Sequence, residues 1–266
     1  MMGWETRHGF DPGKNKRNPA CWLFSVFDPE THVLRFEGYW MKHGQPIEWW
    51  LPFVAQIPYR KLHDMKILSG AWVGRMWLEV YKYGEMERKL MDHAATFPRG
   101  EVYGDAYGNN DHGGAGAAYS VWKRHNVLVH TSRYGYKRNR NKWTVVEKLR
   151  DLYMPKVEIA PFLADMNPVD GSERYPSLRS ALSKVRQADT ETGTGEPKAD
   201  FDKLVPKHAS HPADAAVCIA NSLPNRIEGR VEPSGAVVHK PAHEDEDGPS
   251  IHGEPLSSLG GGGYRR

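Results

Sequence analysis

The chain has 266 residues, of which 39% are apolar, and its formal net charge is +3. This length allows one large domain or one domain with tails, and the apolar share is sufficient for a core. Cys21 and Cys218 are too far apart in sequence to form a zinc motif, so we predict two buried free thiols. No apolar run approaches the roughly 18 residues of a membrane span, and no signal peptide is present, which predicts a cytosolic protein without a membrane partner.

The composition changes near residue 225. The segment 225–266 is rich in Gly, Pro, His and acidic residues and has few apolar ones, so it is predicted to be a flexible tail after a folded domain at 1–224. Residues 227–266 hold four basic and seven acidic residues, which leaves a net charge of +6 on the rest of the chain. A modestly basic domain favours a polyanionic partner.

Alternating apolar residues and turn residues predict a series of strands and helices. The expected strands are 7–11, 20–28, 32–39, 101–105, 126–131 and 156–160. The expected helices are 71–93, 115–125, 142–153, 174–187 and 210–223. The segment 47–57 is ambiguous, and 188–200 is expected to be a surface loop. A hairpin region followed by alternating helices and strands indicates an α/β domain with a mixed sheet.

Four residues carry expectations about burial. Trp40, Trp49 and Trp50 are predicted to belong to the core, as aromatic residues near strands usually do. His8 is unusual within the first strand, and its side chain is expected to face outward.

Three aspartates occupy positions in which their carboxylates could take part in catalysis. Asp11 and Asp105 each end a predicted strand, and Asp214 is expected in the first turn of the last helix. Ligands of α/β folds bind at the carboxyl ends of strands, and carboxylates gathered there can hold two Mg²⁺ or Mn²⁺ ions for phosphodiester cleavage. Each aspartate alone is more simply explained as a cap of a turn or helix, and spacing does not decide whether the three meet.

Four segments, in this order, resemble the nuclease domain of the viral terminase large subunit. They are GFDPG with NPACWLFSVFD, then VYGDAYGNN, then NPVDGSERYPSLRSAL, then HASHPADAAVCIANSL, and they cover most of 7–223. The resemblance implies a ribonuclease H-like fold, a mixed sheet flanked by helices. It further implies a two-metal-ion endonuclease that cuts concatemeric viral DNA during genome packaging. Asp11, Asp105 and Asp214 are carried over as the metal-binding carboxylates.

The resemblance has departures. His8 interrupts a strand that is usually more apolar, and a further carboxylate of the family has only a loose counterpart in Asp111. The terminase large subunit carries a packaging ATPase before its nuclease, yet no G-x-x-x-x-G-K-[ST] loop occurs here. We therefore expect a nuclease without its motor, working in a viral packaging complex in the host cytoplasm. Its expected partners are a separate packaging ATPase, a portal or a small terminase subunit.

His211 lies three residues before Asp214, so both share a helix face. It is interpreted as a metal ligand, as a residue that orients Asp214, as a proton shuttle, or as a solvated histidine at the start of a helix.

A basic stretch at 112–146 contains no acidic residue and interleaves aromatic residues with its cations, which suits DNA binding. The alternative is a solvated loop. Arg174 is expected to touch a phosphate or merely to begin its helix. The predicted contacts to double-stranded DNA are Lys14, Lys16, Arg17, Arg133, Lys137, Arg138, Arg140, Lys142 and Arg174.

Two other functions remain open. One is a different ribonuclease H-like activity, such as junction resolution or strand transfer. The other is a non-catalytic DNA-binding packaging adaptor that keeps the fold.

Overall fold

The fold is described by a computed structural model at residues 3–13, 18–62, 74–105, 118–132, 145–153, 157–184 and 210–224. Within these segments, six strands form one mixed sheet in the order β5-β4-β1-β2-β3-β6. The strands are β1 (Glu5–Asp11), β2 (Ala20–Asp28), β3 (Val33–Lys42), β4 (Glu101–Asp105), β5 (Val129–Ser132) and β6 (Val157–Ile159). A separate two-stranded hairpin consists of β7 (Val169–Asp170) and β8 (Glu173–Arg174).

The strand directions bring several strand ends to one edge of the sheet. β1, β2 and β3 are antiparallel neighbours, whereas β4 runs parallel to β1 and β5 runs parallel to β4. The last residues of β1, β3, β4 and β5 and the first residue of β2 therefore share an edge, which we call the carboxyl edge. The expected α/β domain with a mixed sheet flanked by helices is confirmed.

Helices cover both faces of this sheet. They are α1 (Leu51–Val54), α2 (Gly74–Val80), α3 (Glu85–Ala94), α4 (Ala118–Lys123), α5 (145–153), α6 (Pro161–Ala164), α7 (Leu178–Ser183) and α8 (Ser210–Ser222). The second half of α5, Leu149–Tyr153, is wound as a π-helix, and a 3-10 turn at Ile47–Trp50 leads into α1. None of the helices in the described segments is long and apolar enough to cross a membrane.

The prediction of a single helix over 71–93 is wrong for its described part, because the helix is interrupted between α2 and α3. Gly84 is extended and caps α3, and its N–H is accepted by the side chain of Glu87. Tyr83 turns into the core instead, where its hydroxyl donates to the Trp49 carbonyl at 2.9 Å and accepts from Trp77 Nε1 at 2.9 Å. These contacts in the core, one of them with a residue 34 positions earlier, outweigh the local helical periodicity.

The helix expected over 174–187 is also wrong at its start. Arg174 lies in β8, and α7 begins only at Leu178, after Ser177 accepts a hydrogen bond from the N–H of Ser180. Pro176 provides the physical reason, because a residue that precedes proline is disfavoured in helical conformation.

The burial of the tryptophans is as predicted, but that of His8 is not. Trp40, Trp49 and Trp50 all lie in the core. The side chain of His8 is fully buried, which corrects the expectation that it faces outward. Its ring packs 4.8 Å from that of Phe24, and its Nδ1 accepts a hydrogen bond of 3.1 Å from the indole of Trp22. Burial lowers the pKa of His8 to about 4, so a neutral ring is accommodated among aromatic residues.

The close packing of α8 on β1 depends on Gly9. A Cβ atom at this position would lie 2.1 Å from the carbonyl oxygen of Ala215 in α8, a distance that no real side chain tolerates. Gly9 therefore allows the backbone of α8 to lie directly against β1, and this sets the distance between α8 and the sheet.

Candidate functional site

Asp11 lies at the carboxyl edge as the last residue of the central strand β1. The parallel register pairs Phe10 with Gly104, so the next position brings the backbones of Asp11 and Asp105 side by side. Adjacent strands are separated by about 4.8 Å. The side chain of Asp105 lies outside the part of the chain that the structure describes. The sheet thus brings together the two strand-end aspartates that the sequence singled out, at the level of the backbone.

The carboxylate of Asp11 is nearly buried and is held at both oxygens. Its Oδ1 accepts the N–H of Gly13 at 3.1 Å, and its Oδ2 lies 2.7 Å from Nδ1 of His211. Gly13 has a φ of +68°, and a Cβ there would lie 2.6 Å from the carbonyl oxygen of Asn18. The turn after β1 consequently requires glycine, and it fixes the orientation of the Asp11 carboxylate.

The closing helix α8 supplies the other two residues of the candidate site. His211 is the second residue of α8, and Asp214 is the fifth. Asp214 therefore lies in the second turn, which corrects the expectation of the first turn, because the helix already begins at Ser210. Both residues are partly buried. Since Ala215 contacts β1 at Gly9, the face of α8 that carries His211 is held against Asp11.

The ionisation of Cys21 is affected by the negative charges of Asp11 and Asp214. It is the cross-strand partner of Asp11 on β2 and is fully buried. Burial raises the pKa of the Cys21 thiol, and the neighbouring charges of Asp11 and Asp214 and the thiol of Cys218 raise it further. Two carboxylates therefore lie close enough to one thiol to affect its ionisation. Both cysteines are buried thiols outside any disulfide, as the sequence predicted.

The fit of these residues to a divalent metal ion depends on Asp105. Among the described residues, no group of three His, Cys, Asp or Glu side chains is arranged to hold a metal ion. Asp11 and Asp214 provide carboxylate oxygens, which are the ligands that Mg²⁺ and Mn²⁺ prefer. A third oxygen ligand has to come from a side chain beyond the described ones, for which Asp105 is in the right strand and register.

A second cluster at the carboxyl edge was not found by sequence reasoning. His43 follows the last residue of β3, and its N–H donates to Oδ2 of Asp170 at 2.8 Å. Its Nδ1 is hydrogen-bonded to the hydroxyl of Tyr175 and lies 3.6 Å from Oε2 of Glu173. The segment NPVDGSERYP was noted in the sequence, but no spacing relates it to His43, which lies more than 120 residues earlier.

Most of the residues predicted to contact DNA lie outside the part of the chain that the structure describes. Arg174 is exposed on β8. The others lie outside the described residues, namely Lys14, Lys16, Arg17, Arg133, Lys137, Arg138, Arg140 and Lys142, as do Asp111 and the tail from 225 onward. No family model, curated protein or solved structure was found to match the chain.

Proposed function

We propose that this protein is a divalent-metal-dependent DNA endonuclease with a ribonuclease H-like domain, of the kind that cuts concatemeric viral DNA during packaging. The observation that carries the proposal is the convergence on Asp11. It ends the central strand, the backbone of Asp105 runs beside it, and α8 brings His211 to 2.7 Å of its carboxylate. Asp214 follows three residues later on α8, and its charge helps to raise the pKa of the thiol of Cys21, the cross-strand partner of Asp11. These residues come from three of the four segments that resemble the terminase nuclease.

The order and position of the strands and of α8 also support the proposed ribonuclease H-like fold. The resemblance implies a first strand that ends in an aspartate, a hairpin, a second acidic strand and a closing helix with a His-x-x-Asp pattern. In the sheet, β1 is followed by the antiparallel β2 and β3, β4 lies parallel on its other side, and α8 packs on β1. This agreement in order and in position supports the assignment.

In the proposed mechanism, Asp11, Asp105 and Asp214 would hold two Mg²⁺ or Mn²⁺ ions, which would supply the Lewis-acid chemistry of phosphodiester hydrolysis. The turn at Gly13 keeps one oxygen of Asp11 oriented, and His211 fixes the other. Outer partners of this type commonly matter for metal affinity or activity. The buried Cys21 thiol, whose pKa is raised, stays protonated and adds no further negative charge beneath the carboxylates.

The direct test is cleavage of supercoiled plasmid with Mn²⁺, with Mg²⁺ and with chelator, in the presence and absence of ATP. We expect nicking and linearisation that need the metal but no nucleotide, because the sequence contains no G-x-x-x-x-G-K-[ST] motif. DNA-stimulated ATP hydrolysis by this chain alone would contradict the division of labour that we propose.

Substitution identifies the residues. Asp11→Asn, Asp105→Asn and Asp214→Asn should each abolish cutting while DNA binding persists, because each removes a charge from the metal ligands and little volume. Asp165→Asn is the matched control, since Asp165 is exposed at the end of α6. Binding without cutting by the wild-type protein under all metal conditions would instead favour an adaptor that keeps the fold.

A further inference from the structure

His43, at the end of β3, contacts the hairpin β7–β8 at the carboxyl edge. Its N–H donates to Asp170 at 2.8 Å, and its Nδ1 is hydrogen-bonded to the hydroxyl of Tyr175, the residue after β8. The side chain of Tyr175 is fully buried, so this contact lies inside the core and not in solvent. Between its two anchored ends, the hairpin exposes Arg174.

This hairpin lies on the same face of the sheet as the candidate site. Tyr39 of β3 donates a hydrogen bond to the carbonyl of Pro176 at 2.9 Å. The hydroxyl of Tyr39 also lies 2.9 Å from Sδ of Met41, and Met41 is the cross-strand partner of Cys21. Cys21 in turn is the cross-strand partner of Asp11. A row of buried residues therefore leads from Asp11 to the segment that follows the hairpin.

The charges of the hairpin require compensation if DNA is to approach. Asp170 and Glu173 precede Arg174 in the hairpin and would repel phosphate. Both carboxylates lie within 4.0 Å of Nδ1 of His43, at 4.0 Å and 3.6 Å, and Asp170 also accepts the His43 N–H. They are turned toward the end of β3, whereas Arg174 has no ion pair among the described residues.

We propose that His43 is a positioning residue for DNA: it holds the Val169–Arg174 hairpin on the carboxyl edge so that Arg174 contacts a phosphate near the scissile one. This inference rests on the proposed nuclease function. β3 is two strands from β1, roughly 10 Å at the usual spacing. A DNA strand carries one phosphate per roughly 3.4 Å of helix axis, so the strand that holds His43 lies about three phosphates along the DNA from a bond cut at Asp11.

The test compares His43→Ala, His43→Asn, Arg174→Ala and the double variant His43→Ala with Arg174→Ala. Affinity for a short duplex is measured in chelator, as a function of salt, and cleavage is measured separately with Mn²⁺. The side-chain oxygen of asparagine can accept from Tyr175 in place of Nδ1, so His43→Asn is the rescue variant. Arg179→Ala, on α7 outside the hairpin, is the control.

We expect Arg174→Ala to reduce the slope of log affinity against log salt by about one, as the loss of one phosphate contact does. His43→Ala should do nearly the same and raise KM for DNA by about tenfold with kcat little changed, and the double variant should be no worse than either. His43→Asn should restore most of the affinity. A purely structural role of His43 would instead lower the melting temperature and leave the salt slope unchanged.

The outcomes separate this inference from the proposed function. Metal-dependent cutting by the wild-type protein with an unchanged slope in His43→Ala, or with fully additive effects in the double variant, would overturn the role of His43 alone. Absence of cutting by the wild-type protein would overturn the nuclease, whereas a reduced slope in both single variants would still identify the hairpin as a DNA contact.

Discussion

Nδ1 of His211 and Oδ2 of Asp11 lie 2.7 Å apart, although the two residues are separated by 200 positions in the chain. Both side chains are nearly buried, at 13% and 12% exposure, so water competes little for the contact. The hydrogen bond therefore fixes which way the second oxygen of Asp11 points.

For His211, we predict a loss of activity that is partial and comes from orientation. His211→Ala should reduce metal-dependent cleavage by roughly 10- to 100-fold, the usual effect of removing an outer partner of a metal ligand. His211→Asn, which can keep a polar atom near the position of Nδ1, should retain more activity. Initial cleavage rates at several Mn²⁺ concentrations measure this, and a His211→Ala protein as active as the wild type would show that Asp11 needs no such partner.

Divalent ions should stabilise the fold. Clustered carboxylates repel one another without cations, and a ligand at 100 times its Kd stabilises the native state by about 2.7 kcal/mol. For a domain of this size, that corresponds to an increase in melting temperature of about 5–10 °C. Thermal unfolding with Mn²⁺ and with chelator measures it. The increase should disappear in Asp11→Asn and persist in Asp165→Asn; an equal increase in both would mean that the ion binds elsewhere.

Gly9→Ala should destabilise the protein strongly, because the new methyl group would collide with the carbonyl oxygen of Ala215 and push α8 away from β1. Overpacking of this kind costs about 1–3 kcal/mol. Gly84→Ala is a matched control, since the closest atom to its added Cβ is Glu87 Oε2 at 3.5 Å. Denaturant unfolding compares the two variants. Equal stability of both would mean that α8 does not rest on Gly9.

His8 should make the stability depend on pH between about 4 and 6.5. Burial lowers its pKa from 6.5 to about 4 in the folded state, so the unfolded chain binds a proton first as the pH falls. The free energy of unfolding is then highest above 6.5 and decreases toward 4, by roughly 3 kcal/mol from this residue alone. His8→Asn should be less stable but lose this pH dependence, as followed by urea unfolding at several pH values.

The control for His8 is His32→Asn. His32 lies at the turn between β2 and β3 with a φ of 57°, a conformation that asparagine tolerates. This variant should keep the wild-type pH dependence. Its loss in His32→Asn, or its persistence in His8→Asn, would assign the effect to another group.

The basic stretch should contribute to DNA affinity regardless of sequence. Neutralising Lys137, Arg138 and Arg140 together is expected to weaken binding to all duplexes and to reduce the salt slope by roughly one per lost phosphate contact. Competition between unrelated duplexes, measured in chelator at several salt concentrations, tests this. An unchanged slope would mean that these side chains face only water.

Local patterns in the sequence were sufficient for those elements whose formation depends on neighbours in the chain. Apolar alternation predicted β2, the end of β1 at Asp11 and β4 at 101–105, and helical periodicity predicted α8 almost to the residue. The three aspartates were likewise selected from their positions at the ends of strands and on the last helix. Each of these inferences needs only the period of the element and the residue that terminates it.

Only the tertiary structure decided which elements meet and which side chains pair. The break before α3 depends on Tyr83 reaching Trp49, the burial of His8 on Trp22, and the anchoring of β7–β8 on His43, all of them contacts over many residues. The contact of His211 with Asp11 was not predicted either, because helical spacing related His211 only to Asp214. Sequence determines the period of a strand or helix locally, whereas register, packing height and hydrogen-bond partners are set by the free energy of the whole core.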